Sequence, residues 1–176
     1  MTCATQIYRM TKMPSERQGT SRKRIVVLGI GNVLLSDEGV GVHIVNELSK
    51  MVLPENVRFV DGGTEGFALL DVMEEADVLV IVDAVRAGGE PGSIYTFDLD
   101  SIQAAPQHFV TSFHQIGLLE VLQVAELFGR RPKTRVVGVE PKTLEIGLEL
   151  SPEVKARMQS IVETVLALVR EEMSKA

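Results

Sequence analysis

Glu38, Asp83 and His114 are the residues of this chain whose types and placement suggest chemistry. Two carboxylates supply hard anionic oxygen and an imidazole supplies borderline nitrogen. That donor set suits a divalent first-row metal and leaves a position open for water or substrate. Each residue also has a plainer reading. Asp83 closes an apolar run, where an Asp commonly just begins a turn. Glu38 falls in the first turn of a helical pattern, where a carboxylate favours the helix dipole. His114 opens another helical pattern and would serve equally as a surface or packing residue. The site reading gains its weight from a shared location. Asn32, Ser36, Asp37 and Glu38 follow the first apolar run, Asp61 the second and Asp83 the third. In open α/β sheets, ligands bind beyond the carboxyl ends of the strands, and right-handed crossovers bring those ends to one edge.

The elements that must position these residues are legible as patterns. Residues 24–31 are apolar and β-branched without polar alternation, as in a strand buried on both faces. Val42, Val45, Leu48 and Val52 recur near helical spacing, which predicts a helix over 40–52 stopped by Pro54. A short strand is expected over 57–60, a turn at 61–64, and a helix over 65–76 capped by Thr64. The run from Val78 to Val82 is the strongest buried-strand signal. Residues 88–92 read as a loop, 93–99 as an edge strand and 100–112 as irregular. A helix is expected over 114–128, ended by Gly129. A buried strand is expected over 135–139, then a loop with a short strand over 141–150. Ser151 and Pro152 open a last helix to about Ser174. This alternation predicts an α/β fold of three layers, helix–sheet–helix, with about five mostly parallel strands.

Composition narrows the class. A chain of 176 residues with 45% hydrophobic and 24% charged residues suits one globular domain over 23–176. Residues 1–22 are polar with scattered Arg and Lys; they are expected to be a disordered tail or the product of an upstream start, Met10 and Met13 being alternatives. The formal charge of −6 offers no basic stripe for nucleic acid or anionic membrane. No apolar run approaches the roughly 20 residues needed to span a bilayer. Cys3 is the single cysteine, so neither an internal disulfide nor a thiolate metal site can form, which suits a reducing cytoplasm.

Several common chemistries lack their signatures. Gly29-Ile30-Gly31-Asn32 invites a dinucleotide reading, but the third glycine of that fingerprint is replaced by Leu34. There is no Gly-Lys-Ser/Thr and no Gly-x-Ser-x-Gly elbow. The glycines are better read as permitting a tight turn at the strand end. His43 lies inside a helical pattern and is expected to be half-buried. His108 lies in the irregular stretch, and Asp71, Glu74 and Glu75 read as a solvated helix face.

These residues also form an ordered series of motifs. The stretch from Gly29 to Gly41, Asp61-Gly62-Gly63-Thr64, Val82-Asp83-Ala84-Val85, Ser112-Phe113-His114-Gln115 and Gly138-Val139-Glu140-Pro141 together resemble the hydrogenase maturation endopeptidases. The resemblance spans about residues 24–150; the N-terminal tail precedes the shared pattern. It implies a cytoplasmic peptidase that removes a C-terminal extension from a nickel–iron hydrogenase large-subunit precursor after nickel insertion. It further implies that Glu38, Asp83 and His114 bind metal and that Asp61 matters for processing. The metal would be nickel supplied by the substrate, with another divalent metal able to take its place in isolated enzyme. An aspartyl-type endopeptidase classification is compatible with that set, and a monomer is expected. Two other readings share features: a non-hydrolytic nickel-binding chaperone of the same subunit, and a peptidyl-tRNA-hydrolase-like esterase, which shares the Gly-x-Gly-Asn opening but needs a basic groove.

Overall fold

The structure is a computed structural model that describes residues 22–52, 54–64, 69–99, 113–127, 129 and 131–175, with 113–119 described by their backbone. Expectations for the tail, for Cys3, for residues 100–112 with His108, and for the side chain of His114 lie outside the described residues.

Five strands form one sheet: β1 (Ile25–Ile30), β2 (Val57–Gly63), β3 (Val78–Ala84), β4 (Ile94–Asp98) and β5 (Lys133–Val139). Their spatial order is β2-β1-β3-β5-β4. All pairs are parallel except β4 with β5. The two central strands β1 and β3 are buried at every position, because both of their faces are covered. β4 is the antiparallel edge strand and is half-buried along most of its length.

Helices cover both faces. α1 (Val40–Leu48) and α5 (Met158–Ser174) lie on one. There Val40, Ile44 and Leu48, with Ile161, Val165 and Val169, pack on Ile25, Val27, Val78, Val80 and Val82. α2 (Leu70–Glu75) and α3 (Phe113–Leu127) lie on the other. There Met73, Val121, Leu122 and Ala125 pack on Val26, Leu28, Leu79 and Ile81. The alternation of strand residues between these two cores is the period-2 geometry of a pleated strand. The expected three-layer α/β architecture is therefore present. A short helix α4 (Pro152–Lys155) precedes α5. No helix among the described residues is long and apolar enough to cross a membrane.

Several elements differ from expectation: β5 begins at Lys133 rather than 135, and within 141–150 only an isolated bridge from Gly147 to Leu35 forms in place of a short strand. The helix after β1 ends at Leu48 rather than reaching residue 52. β2 does not stop at Val60: Asp61 pairs with Gly29 and Gly63 with Ile30 across a register shift, because β1 extends far enough to offer partners for those backbone groups. Of the helix expected over 65–76, residues 65–68 and so the start capped by Thr64 lie outside the described residues, and α2 is the described part. The last helix is broken. Ser151 does cap it, its hydroxyl accepting from the Val154 N–H at 3.4 Å with Pro152 in the first turn. The N–H of Arg157 then turns back three residues to the Val154 carbonyl at 2.9 Å. That tight turn separates α4 from α5.

Candidate functional site

The chain leaves β1 through α1 toward β2 on one side, whereas β3 flanks β1 on the other and leads to the β5–β4 half. The carboxyl ends of β1 and β3 therefore flank a topological switch point, the usual ligand crevice of an open α/β sheet. Glu38 and Asp83 both stand there.

Glu38 sits in a single 3-10 turn, Ser36–Gly39, that links β1 to α1 and packs against β3. Glycines make that packing possible. A Cβ on Gly31, whose φ is +132°, would overlap the Glu38 carbonyl oxygen. A Cβ on Gly41 would overlap the carbonyl oxygens of Val82 and Ile30, so the first turn of α1 lies directly on the ends of both central strands. Gly29 and Gly31 therefore serve close backbone approach, as the sequence suggested. The result is a buried carboxylate, with Glu38 5% exposed.

Asp83 is the penultimate residue of β3 and is 1% exposed. It stands one residue beyond the Gly29–Val82 pair. By strand alternation it shares the face of Leu79 and Ile81, under α2 and α3. Its Oδ1 accepts the Ala84 N–H at 2.8 Å. His114 is the second residue of α3. That helix ends shortly before β5 begins, and its length of about 22 Å carries its N-terminus back toward the carboxyl edge of the sheet. α3 thus packs on the face of the sheet that holds Asp83. Asp61 is placed apart. It is exposed, it lies in β2 on the face of Val57 and Phe59, and its Oδ1 accepts the Gly63 N–H at 3.0 Å.

Among the described residues, no three His, Cys, Asp or Glu side chains cluster to hold a metal. Glu38 and Asp83 supply two anionic oxygen donors, which suit a divalent cation and fall one short of a three-ligand protein set. His43 is half-buried in α1, as expected for a packing residue. Asp71, Glu74 and Glu75 are exposed, which fits a solvated face.

Two buried carboxylates acquire roles that sequence reasoning did not assign. Asp37 is fully buried. Its Oδ2 accepts the N–H groups of Lys142 and Thr143 at 2.9 and 3.1 Å, and its Oδ1 accepts that of Ser151 at 2.7 Å. The same two segments are laced by backbone bonds from Ser36 N to Gly147 O at 2.8 Å and from Gly147 N to Leu34 O at 3.0 Å. Ser36 has a φ of +50°, the one positive value at a non-glycine residue among the described residues. That conformation costs about 1–3 kcal/mol and needs such support. Glu140 organises the other side of the sheet end. Its Oε2 accepts from Ala87 N, Gly89 N and the Tyr95 hydroxyl at 2.8, 3.2 and 3.0 Å. Burial first, and the Glu140 carboxylate second, push the Tyr95 phenol above its usual value. The sequence signal for Asp37 was only its place beside Glu38; its partners lie more than 100 residues away.

Known proteins share this fold and sequence pattern. The family model described as hydrogenase maturation protease, HycI, matches residues 42–168. The hydrogenase 2 maturation protease of Escherichia coli K12 is 40% identical over 151 residues, covering 84% of this chain and 92% of that protein. The solved structure of the E. coli hydrogenase maturating endopeptidase HybD aligns with a TM-score of 0.77 at 40% identity, covering 84% of this chain and 93% of that one. The [NiFe] hydrogenase maturation protease HybD from Thermococcus kodakarensis aligns with a TM-score of 0.71 at 28% identity, covering 82% and 98%. By its family model, its 40% identity to a maturation protease over most of both chains and its shared fold, the chain belongs to the hydrogenase maturation proteases, hydrolases that act on peptide bonds.

Proposed function

We propose that this protein removes the C-terminal extension of a nickel–iron hydrogenase large-subunit precursor, after nickel has been inserted, and that Glu38, Asp83 and His114 read the metal. The observation that supports this reading is the burial of two carboxylates near the carboxyl ends of neighbouring strands in a maturation-protease fold, Glu38 in the turn after β1 and Asp83 near the end of β3. Carboxylate oxygens suit a divalent cation. Nickel held by the precursor is cargo of the substrate, and its approach would bring such a cation to them.

The residues then act as follows. Glu38 and Asp83 offer anionic oxygens from the turn and from β3, and His114 offers nitrogen from the start of α3. A metal seated among them would polarise the scissile carbonyl or a water, or would mark the precursor as loaded. Another divalent metal would fill the same donors in isolated enzyme. Asp61, exposed on β2, takes part in processing from the neighbouring strand. The enzyme works as a cytoplasmic monomer.

The test uses purified enzyme with nickel-loaded and nickel-free precursor, followed by mass analysis of the large subunit and of the released peptide. A shortened subunit is expected only from the loaded form. Equal cleavage of both forms would remove nickel reading from the proposal. No shortening of either would remove proteolysis of this substrate.

A further inference from the structure

We propose that Asp37 is a positioning residue: its carboxylate ties the turn that carries Glu38 to the loop after β5, and so sets where Glu38 stands in the crevice. This inference rests on the reading of Glu38 as a site residue.

The turn does not hold itself. It is four residues long, it has no side-chain cap, and it begins at Ser36, whose φ is positive. Gly31 and Gly39 remove side chains that would otherwise wedge it, since a Cβ on Gly39 would lie 2.8 Å from the Val33 Cα. Glycines grant close approach but do not choose one arrangement. The choice comes from Asp37. One oxygen takes two backbone N–H groups and the other takes a third, from Lys142, Thr143 and Ser151. The Asp37 N–H in turn donates to the Thr143 carbonyl at 3.3 Å, and the Ser36 hydroxyl donates to the Glu145 carbonyl at 3.0 Å. An anion is well matched to three converging N–H donors. An amide is not: Asn offers one acceptor oxygen, and its NH2 faces a donor on the other side.

Because Glu38 directly follows Asp37, any slack in this tie moves the Glu38 backbone. A displacement near 1 Å at a reacting group can cost about 100-fold in rate. Asp37 itself is fully buried with its acceptors turned to backbone, so its effect on cleavage is exerted through Glu38.

The experiment compares Asp37→Asn with Glu172→Gln and Glu38→Ala in the full chain, with nickel-loaded precursor as substrate. Glu172 is a buried carboxylate paired with Lys133, at the opposite end of β5 from the site, so its loss reports destabilisation alone. Assays run well below every melting temperature. Asp37→Asn is expected to lower kcat by about 10- to 100-fold with KM nearly unchanged. Glu172→Gln is expected to lower the melting temperature while keeping kcat near the wild-type value. Wild-type kcat in Asp37→Asn, or equal kcat losses in Asp37→Asn and Glu172→Gln, would overturn the proposal. Full activity in Glu38→Ala would instead remove the site reading, and this inference with it. Should Asp37→Asn not fold, Asp37→Ser keeps a small polar side chain with one acceptor oxygen in place of two. It should lower kcat in the same way, and an unchanged kcat there overturns the proposal.

Discussion

The carbonyl oxygen of Glu38 lies so close over the α-carbon of Gly31 that no side chain fits between them. The turn that carries Glu38 packs down because a glycine seven residues earlier lets the chain fold back on itself. Gly31→Ala therefore combines a positive φ with an overlap against backbone. It should destabilise the protein by about 2–5 kcal/mol, adding backbone strain to overpacking. Urea titration followed by circular dichroism measures this. A loss below about 0.5 kcal/mol would mean that the turn yields freely.

Glu38→Ala and Asp83→Ala should each reduce precursor cleavage by about 100-fold or more while the chain still folds, as expected when a charged group at a reacting centre is removed. His114→Ala should do the same. Mass analysis of the processed subunit provides the readout. Full activity in all three variants would clear these residues of the role proposed.

Glu172 makes stability depend on acid. It is 1% exposed, and Lys133, Arg135 and Lys175 surround its Oε1 at 2.8, 3.1 and 3.3 Å. Burial alone would push this carboxyl up. The hydrogen bonds and charges of Lys133 and Lys175 outweigh burial and hold it below the usual carboxylate value of 4.5. A depressed folded-state value adds stability that is complete above the unfolded value and is lost as pH falls through the folded one. Glu172→Gln should therefore cost about 1–3 kcal/mol near neutral pH. The gap to wild type should narrow below pH 4.5. Melting curves across that range test it; a gap that is constant or widens in acid would contradict the assignment.

Ile146 is 92% exposed beside the site, on the loop bridged to Leu35 through Gly147. A side chain that buries so little contributes little to folding. Ile146→Ser should leave stability within about 0.5 kcal/mol of wild type. A larger drop in melting temperature would show that the side chain packs in solution.

Much of the fold was legible from local pattern. The β-branched runs of β1 and β3 declared strands covered on both faces, since no other environment suits uninterrupted apolar residues of that kind. Ser151 and Pro152 marked a helix start that the Ser151 hydroxyl does cap. Register was less accessible. The Asp61–Thr64 segment carries turn residues, yet Asp61 and Gly63 pair with β1, because the neighbouring strand satisfies their backbone. The break at Arg157 likewise left no mark in the periodicity of the last helix.

The sequence by itself determined the residue types of the site and the strand ends that deliver Glu38 and Asp83, because both follow from local apolar runs and from glycines near them. Only the tertiary structure decided which of the adjacent carboxylates, Asp37 or Glu38, would be consumed by the scaffold. The two are chemically near-equivalent in the chain. Backbone N–H groups of Lys142, Thr143 and Ser151, brought back more than 100 residues later, capture Asp37. The same folding separated Asp61 from Asp83: adjacent positions along a strand face opposite sides, so side-chain parity and strand order, not distance along the chain, put the two acids on opposite faces of the sheet.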